Sequence, residues 1–142
     1  MKKILVAVDG SASAERVLAT AVELARGSAG RLILLRAVSV PTELPLEALA
    51  IAPVDVPQLL LERAKTDLAR LAQLVPPDVL DSFRAEVGTP WRTVVEAAAR
   101  DRVDLIVIGS HGYSGLDRLL GTTAAKIVDH AACSVLVARP TP

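Results

Sequence analysis

A single cysteine, Cys133, stands in the whole chain. No disulfide can close within it, and a reducing cytoplasm is the expected home. Aromatic side chains are nearly absent, limited to Trp91, Tyr113 and Phe83. A flavin-type ring would therefore find few stacking partners. Net charge is also missing: 16 basic and 16 acidic residues cancel, so bulk charge draws the chain toward neither nucleic acid nor an anionic membrane. No apolar run approaches the ~20 residues of a membrane helix. The opening apolar run, Ile4 to Val8, is broken by Asp9, too soon for a signal sequence. Several motifs are lacking too. There is no G-x-x-x-x-G-K-[ST], no G-x-G-x-x-G after the first apolar run, no Cys/His metal cluster and no plausible Ser-His-Asp order. A receiver domain would need an acidic cluster after its first strand and a lysine after its fifth; only Asp9 is present.

What remains is a chain of 142 residues, 51% apolar and 23% charged. That length and composition predict one folded domain over 1–142, with a core that needs no staples. The continuous apolar run 4–8 reads as a strand covered on both faces, 32–38 and 105–109 read as further buried strands, and 134–138 as the last strand. The run 79–87 differs. Phe83, Ala85 and Val87 alternate with Ser82, Arg84 and Glu86, which predicts a half-exposed strand at a sheet edge.

Helical stripes lie between the strands. Ala14, Val17, Leu18, Ala21, Leu24 and Ala25 make the first, with Ser11 or Ser13 as its cap and Gly27 or Gly30 as its end. Leu61, Ala64, Leu68, Leu71 and Val75 make the second, stopped by Pro76-Pro77. Thr89 and Pro90 open the third, whose stripe is Trp91, Val94, Val95 and Ala98. Ala124, Ile127, Val128 and Ala131 mark the last. The proline-rich stretch 39–57 is long for a plain connection and includes "LEALAI", enough for a helical turn or two.

Alternating strands and helices imply right-handed crossovers, an open five-stranded parallel sheet and helices on both faces. Placing strand three at one edge and strand five at the other gives the order 3-2-1-4-5. Ligands in such sheets bind where the winding direction reverses, beyond the carboxyl ends of the strands. Here that is between strands one and four, at "DGSAS" and "GSHGYSGLDRLLGTT". The second segment holds Gly109, Gly112, Gly115 and Gly121 in fifteen residues and runs into a helix at Thr122-Thr123. Glycines allow positive φ and close backbone approach, and a helix N-terminus suits phosphate. A ligand-free turn would use the same residues, and Asp9 serves equally as a helix cap, a ribose ligand or a metal ligand. Trp91 is expected to pack on the sheet, and Cys133 to act as a small buried hydrophobe.

"KKILVAVDGSASA" and "VGTPWRTVVEAAARDRVDLIVIGSHGYSGLDRLLGTTAAKIVDHAACSVLVAR" resemble the opening and closing halves of the universal stress protein family. Gly109-Ser-His-Gly112 and Gly121-Thr122 resemble the glycine motif of its ATP-binding branch. Eight residues rather than nine separate the two halves, which brings AMP forward as a ligand beside ATP and ADP. The resemblance implies that Asp9 faces the ribose or adenine. It puts Ala7 and Val8 beside Asp9, Ala37 at the adenine pocket, and Ile108 and Gly109 near the nucleoside. Gly112, Gly121, Thr122 and Thr123 would hold the phosphates, with Mg2+ or Mn2+ as accompanying ion. It further implies a cytoplasmic stress-response regulator that contacts a protein partner and dimerises through the strand 134–138. A slow ATPase or nucleotide-dependent transferase, and an interaction module with an empty pocket, are the competing readings.

Overall fold

The computed structural model describes residues 2–39, 55–110 and 120–140. Within them lie strands β1 (Lys3–Ala7), β2 (Arg31–Val38), β3 (Leu80–Val87), β4 (Leu105–Gly109) and β5 (Ser134–Ala138). They alternate with helices α1 (Ala14–Ser28), α2 (Val56–Ala72), α3 (Pro90–Arg100) and α4 (Thr122–His130). Every strand pairing is parallel, in the order β3-β2-β1-β4-β5. The expected architecture and its switch point between β1 and β4 are both present. The "LEALAI" segment lies outside the described residues.

The sheet separates two apolar layers. Ile4, Val6, Leu32, Leu34 and Val107 pack against Val17, Leu18 and Ala21 of α1 and Leu68 and Leu71 of α2. On the other face, Leu5, Ile33, Leu35, Ile106 and Ile108 pack against Val94, Ala97 and Ala98 of α3 and Ala124 and Ile127 of α4. This two-sided burial is why the central strands read as unbroken apolar runs. Among the described residues, no helix is long and apolar enough to cross a membrane.

Helix ends depart from expectation in detail. Gly27 lies inside α1, and the left-handed position that ends the helix is Ala29, at φ 52°. Gly30 follows, its N–H donating to the Ala25 carbonyl at 2.8 Å. Ser13 and Thr89 occupy N-cap positions, yet neither side chain makes a cap bond. Asp55 does, accepting the Gln58 N–H at 3.3 Å. Val128, expected in the buried stripe of α4, is 45% exposed, because it stands one position round the helix from buried Ile127.

Strand β3 lies at the edge and is half exposed, as expected. Phe83 and Val87 are 44% and 49% exposed. Phe83 sits level with Leu34, at the outer margin of α2, in a shallow groove beside Lys65 and Ala69. Half-buried are Ala85 on that side and Arg84 and Glu86 on the opposite face. Arg84 pairs with Glu86 at 2.9 Å and with Asp101, and Arg100 pairs with Glu86 at 2.9 Å. Ion pairing toward the end of α3 thus decides which residues are covered.

Burial works to raise the Glu86 carboxyl, but hydrogen bonds and charge from Arg84 and Arg100 hold it below the usual glutamate range. A folded-state pKa below the unfolded value stabilises at neutral pH, and that contribution disappears as pH falls through the folded value. Glu86→Gln is therefore expected to lower Tm at pH 7 and to have no effect at pH 3. A partly exposed pair contributes at most about 1 kcal/mol, roughly 2–8 °C in Tm for a domain near this size. Thermal melts of both proteins from pH 7 to pH 3 check it. Parallel Tm curves would assign Glu86 no such role.

Candidate functional site

At the carboxyl end of β1 the chain turns through Asp9 and Gly10. Asp9 Oδ1 accepts the Ser11 N–H at 2.9 Å, and the Ser11 and Ser13 hydroxyls lie 2.7 Å apart. These bonds tie the turn to the start of α1. Strand β2 runs past β1. Ala7 is level with Leu35, and the Val8 N–H still reaches the Leu35 carbonyl at 3.0 Å. Arg36, Ala37 and Val38 therefore overhang the turn and form one wall of a cleft.

The opposite wall begins at β4. A Cβ on Gly109 would lie 3.2 Å from Val17 Cγ2, so glycine here allows α1 to close on the sheet. Ser110 follows, 2% exposed. Its N–H donates to the Ala138 carbonyl at 3.3 Å, and its own carbonyl accepts the Gly121 N–H at 2.8 Å. Gly121 is the N-cap of α4 at φ −63° and ψ 158°, extended backbone that any residue adopts. Neither Gly109 nor Gly121 has positive φ. The expectation that these two glycines serve backbone conformation is corrected, and the Gly121 amide is already engaged. The first-turn amides of Thr122, Thr123 and Ala124 have no carbonyl ahead of them within the helix. They are the donors that an anion would meet, at the positive end of the α4 dipole.

The cleft between these walls measures about 690 Å³. Ala7, Val8, Asp9, Ala37, Ile108, Gly109, Gly121, Thr122 and Thr123 all line it. Gly112 lies outside the described residues, as do His111, Tyr113, Asp117 and Arg118. One side is apolar, built from Ala7, Ala37, Val94, Ile108 and Ile127; the other carries Asp9, Arg36, Arg63 and Asp67. Arg36 Nη1 donates to Asp67 Oδ2 at 3.2 Å.

Sequence reasoning missed Val94, Ile127, Arg36, Arg63 and Asp67. The first two were read only as helix core. Arg36 did leave a signal, being the one charge in the run "LILLRAV". Arg63 and Asp67 look like any exposed helix positions.

Trp91 is half-buried and sits between helices rather than on the sheet alone. Its ring lies 4.6 Å from the His130 ring, with Arg92 and Lys126 at 5.3 and 5.6 Å from its centre. Lys126 is thereby held on the Trp91 ring. Cys133 is half-buried, and burial pushes its thiol above the ordinary range, which disfavours the reactive thiolate. No group of three His, Cys, Asp or Glu side chains able to hold a metal occurs among the described residues.

The profile described as "Universal stress protein family" matches residues 1–139. Universal stress protein A homolog 2 from Coxiella burnetii is 34% identical over 97% of this chain and 94% of its own length. Among solved structures, universal stress protein UspA from Lactobacillus plantarum superposes with a TM-score of 0.74 at 26% identity, covering 97% of each chain. A universal stress protein in complex with cAMP superposes with a TM-score of 0.66 at 25% identity, covering 99% of this chain and 98% of that one. A family match over residues 1–139, with relatives covered over nearly their whole length, leads to one conclusion: this chain belongs to the universal stress protein family.

Proposed function

We propose that the chain is an adenine-nucleotide-binding regulatory protein of the stress response. It would work as a single domain over 1–142, pair into a homodimer through β5, and signal by changing its contacts with a protein partner. The observation that carries this reading is the cleft at the switch point. It gathers the first turn of α4, an apolar lining and Asp9 around one cleft. Such a site matches the three parts of a nucleotide: amides for phosphate, a carboxylate for ribose hydroxyls, and aliphatic surface for the base. The cAMP bound by a relative at 25% identity supports adenine as the base.

ATP, ADP and AMP are the candidate ligands. Thr122, Thr123 and Ala124 would hold the phosphates by their amides, and Gly121 would contribute space rather than a donor. Mg2+ or Mn2+ would arrive on the nucleotide, since the described walls offer only Asp9 and Asp67 as carboxylates and Asp67 is paired with Arg36. Magnesium commonly binds in this way, through phosphates and one or two carboxylates.

Calorimetric titration of nucleotide-free protein with ATP, ADP and AMP, with and without magnesium, tests the reading. Heat of binding below millimolar nucleotide is expected. Gly121→Val keeps an allowed backbone but fills the approach to the α4 amides, and it should weaken binding about ten-fold or more, a loss of about 1.4 kcal/mol. No heat and no thermal shift with any of the three nucleotides would end the proposal.

A further inference from the structure

One stripe of α2 faces the cleft. Leu60, Arg63 and Asp67 all line it, and spacings of three and four residues put them on one side of a helix. Asp67 is tied to the sheet, because its Oδ2 accepts from Arg36 Nη1 of β2 at 3.2 Å. The strands before and after α2 are parallel, so α2 runs back from their carboxyl ends. Arg63 therefore stands one turn, about 6 Å, nearer those ends than Asp67. That height is the mouth of the cleft, beyond Arg36. Arg63 is exposed and has no ion pair among the described residues. Among the same residues no aromatic side chain lines the cleft. The α4 amides lie well away from Arg63. Helix α2 packs on one face of the sheet and α4 on the other, and β2 and β4 are two strand spacings apart, about 10 Å.

We infer that Arg63 covers the base of the bound nucleotide, its guanidinium lying flat on the ring face that the aliphatic wall leaves open. This rests on the nucleotide reading above and adds to it the residue that holds the base from the α2 side. A phosphate on the α4 amides leaves the other end of the ligand toward Ala37 and α2. A flat base has two faces. The aliphatic lining serves one by dispersion, and in a cleft without aromatics the second would be left to water. A guanidinium is planar and weakly hydrated and stacks on aromatic faces, whereas an ammonium is a compact, strongly hydrated point charge. Arg63 can do this without giving up a described ion pair, while Arg36 is held by Asp67.

The test is calorimetric titration of the native protein, Arg63→Met and Arg63→Lys with AMP, ADP and ATP. Both substitutions replace an exposed side chain, so both variants should fold and melt with the native protein. Arg63→Met should weaken all three nucleotides by the same factor, about five-fold, the scale of a cation on a ring at a partly exposed site. The factor is shared because the three differ only in phosphates. Arg63→Lys keeps the charge without the plane and should recover less than half of the loss. A contact with phosphate would behave otherwise. The loss in Arg63→Met would then grow from AMP to ATP and Arg63→Lys would recover most of it, and that result would overturn the inference. So would native affinity for all three nucleotides in Arg63→Met, which leaves the nucleotide site standing. Failure of the native protein to bind any of the three would remove both readings.

Discussion

Single-turnover hydrolysis of labelled ATP is expected to run several orders of magnitude below the ~10 per second of a typical enzyme. Phosphoryl transfer needs an in-line nucleophile and extra stabilisation of the charge that develops in the transition state. The α4 amides of Thr122, Thr123 and Ala124 would serve bound and reacting phosphate about equally, and uniform binding does not raise the chemical rate. Neither carboxylate on the described walls is set apart as a base for a nucleophile. Asp9 holds the Ser11 amide and Asp67 holds Arg36. Arg36 Nη1 is paired with Asp67 of α2. The assay uses stringently purified protein with Asp9→Ala and Asp117→Ala as controls, Asp117 lying outside the described residues. A rate of about one per second, abolished by either substitution, would make the protein an enzyme and overturn the regulatory reading.

Val137→Lys is expected to convert a dimer into a monomer. Strand β5 is hydrogen-bonded to β4 on one side, and its other edge is the margin of the sheet. Val135, Leu136 and Val137 are each only partly covered, and Val135 and Val137 pack partly against the α3/α4 layer. An apolar edge of this kind recruits another strand, and a two-fold self-pairing closes it without growing further. Pro140, just beyond the strand, lacks an N–H and limits the pairing. A lysine at 137 would bring two charges together across the axis and leave them partly desolvated. Light scattering at tens of micromolar protein should show a dimer for the native chain and a monomer for the variant, with unchanged far-ultraviolet circular dichroism. A native monomer at that concentration would refute pairing through β5.

The strand order was legible because burial on both faces leaves a simple trace: the middles of the central strands are apolar, Leu32–Leu35 and Ile106–Ile108, while β3 has polar positions throughout. Which side of β3 is covered was not legible. Alternation showed a half-exposed strand, but Arg84 and Glu86 are held by Arg100 and Asp101, residues 14 to 17 positions away. Pattern within one strand carries no information about such partners. The same limit applies to the cleft. Residues next to a glycine or a turn, such as Asp9, Gly109 and Thr122, announce themselves by type and spacing. Arg63 and Asp67 reach the cleft only because α2 packs beside the overhang of β2, a tertiary fact without a local motif. Gly121 illustrates a different error. Its type suggested unusual backbone conformation or a free amide, whereas its φ is ordinary and its amide is bound to Ser110.

Strands β1 and β4 lie side by side although the contact between Lys3 and Asp104 spans 101 residues. Pairing across so long a stretch of chain forms slowly compared with local pairing. The units β1-β2-β3 and β4-β5 each join strands that follow one another in the chain, so on a ribosome the first could assemble while the second is still being made. The two units then meet along one line, and that line ends at the cleft. A molecule that touches Asp9 on one bank and the start of α4 on the other fastens the last seam the chain closes. Its presence would be felt first as slower opening of that seam, before any change in the strands themselves.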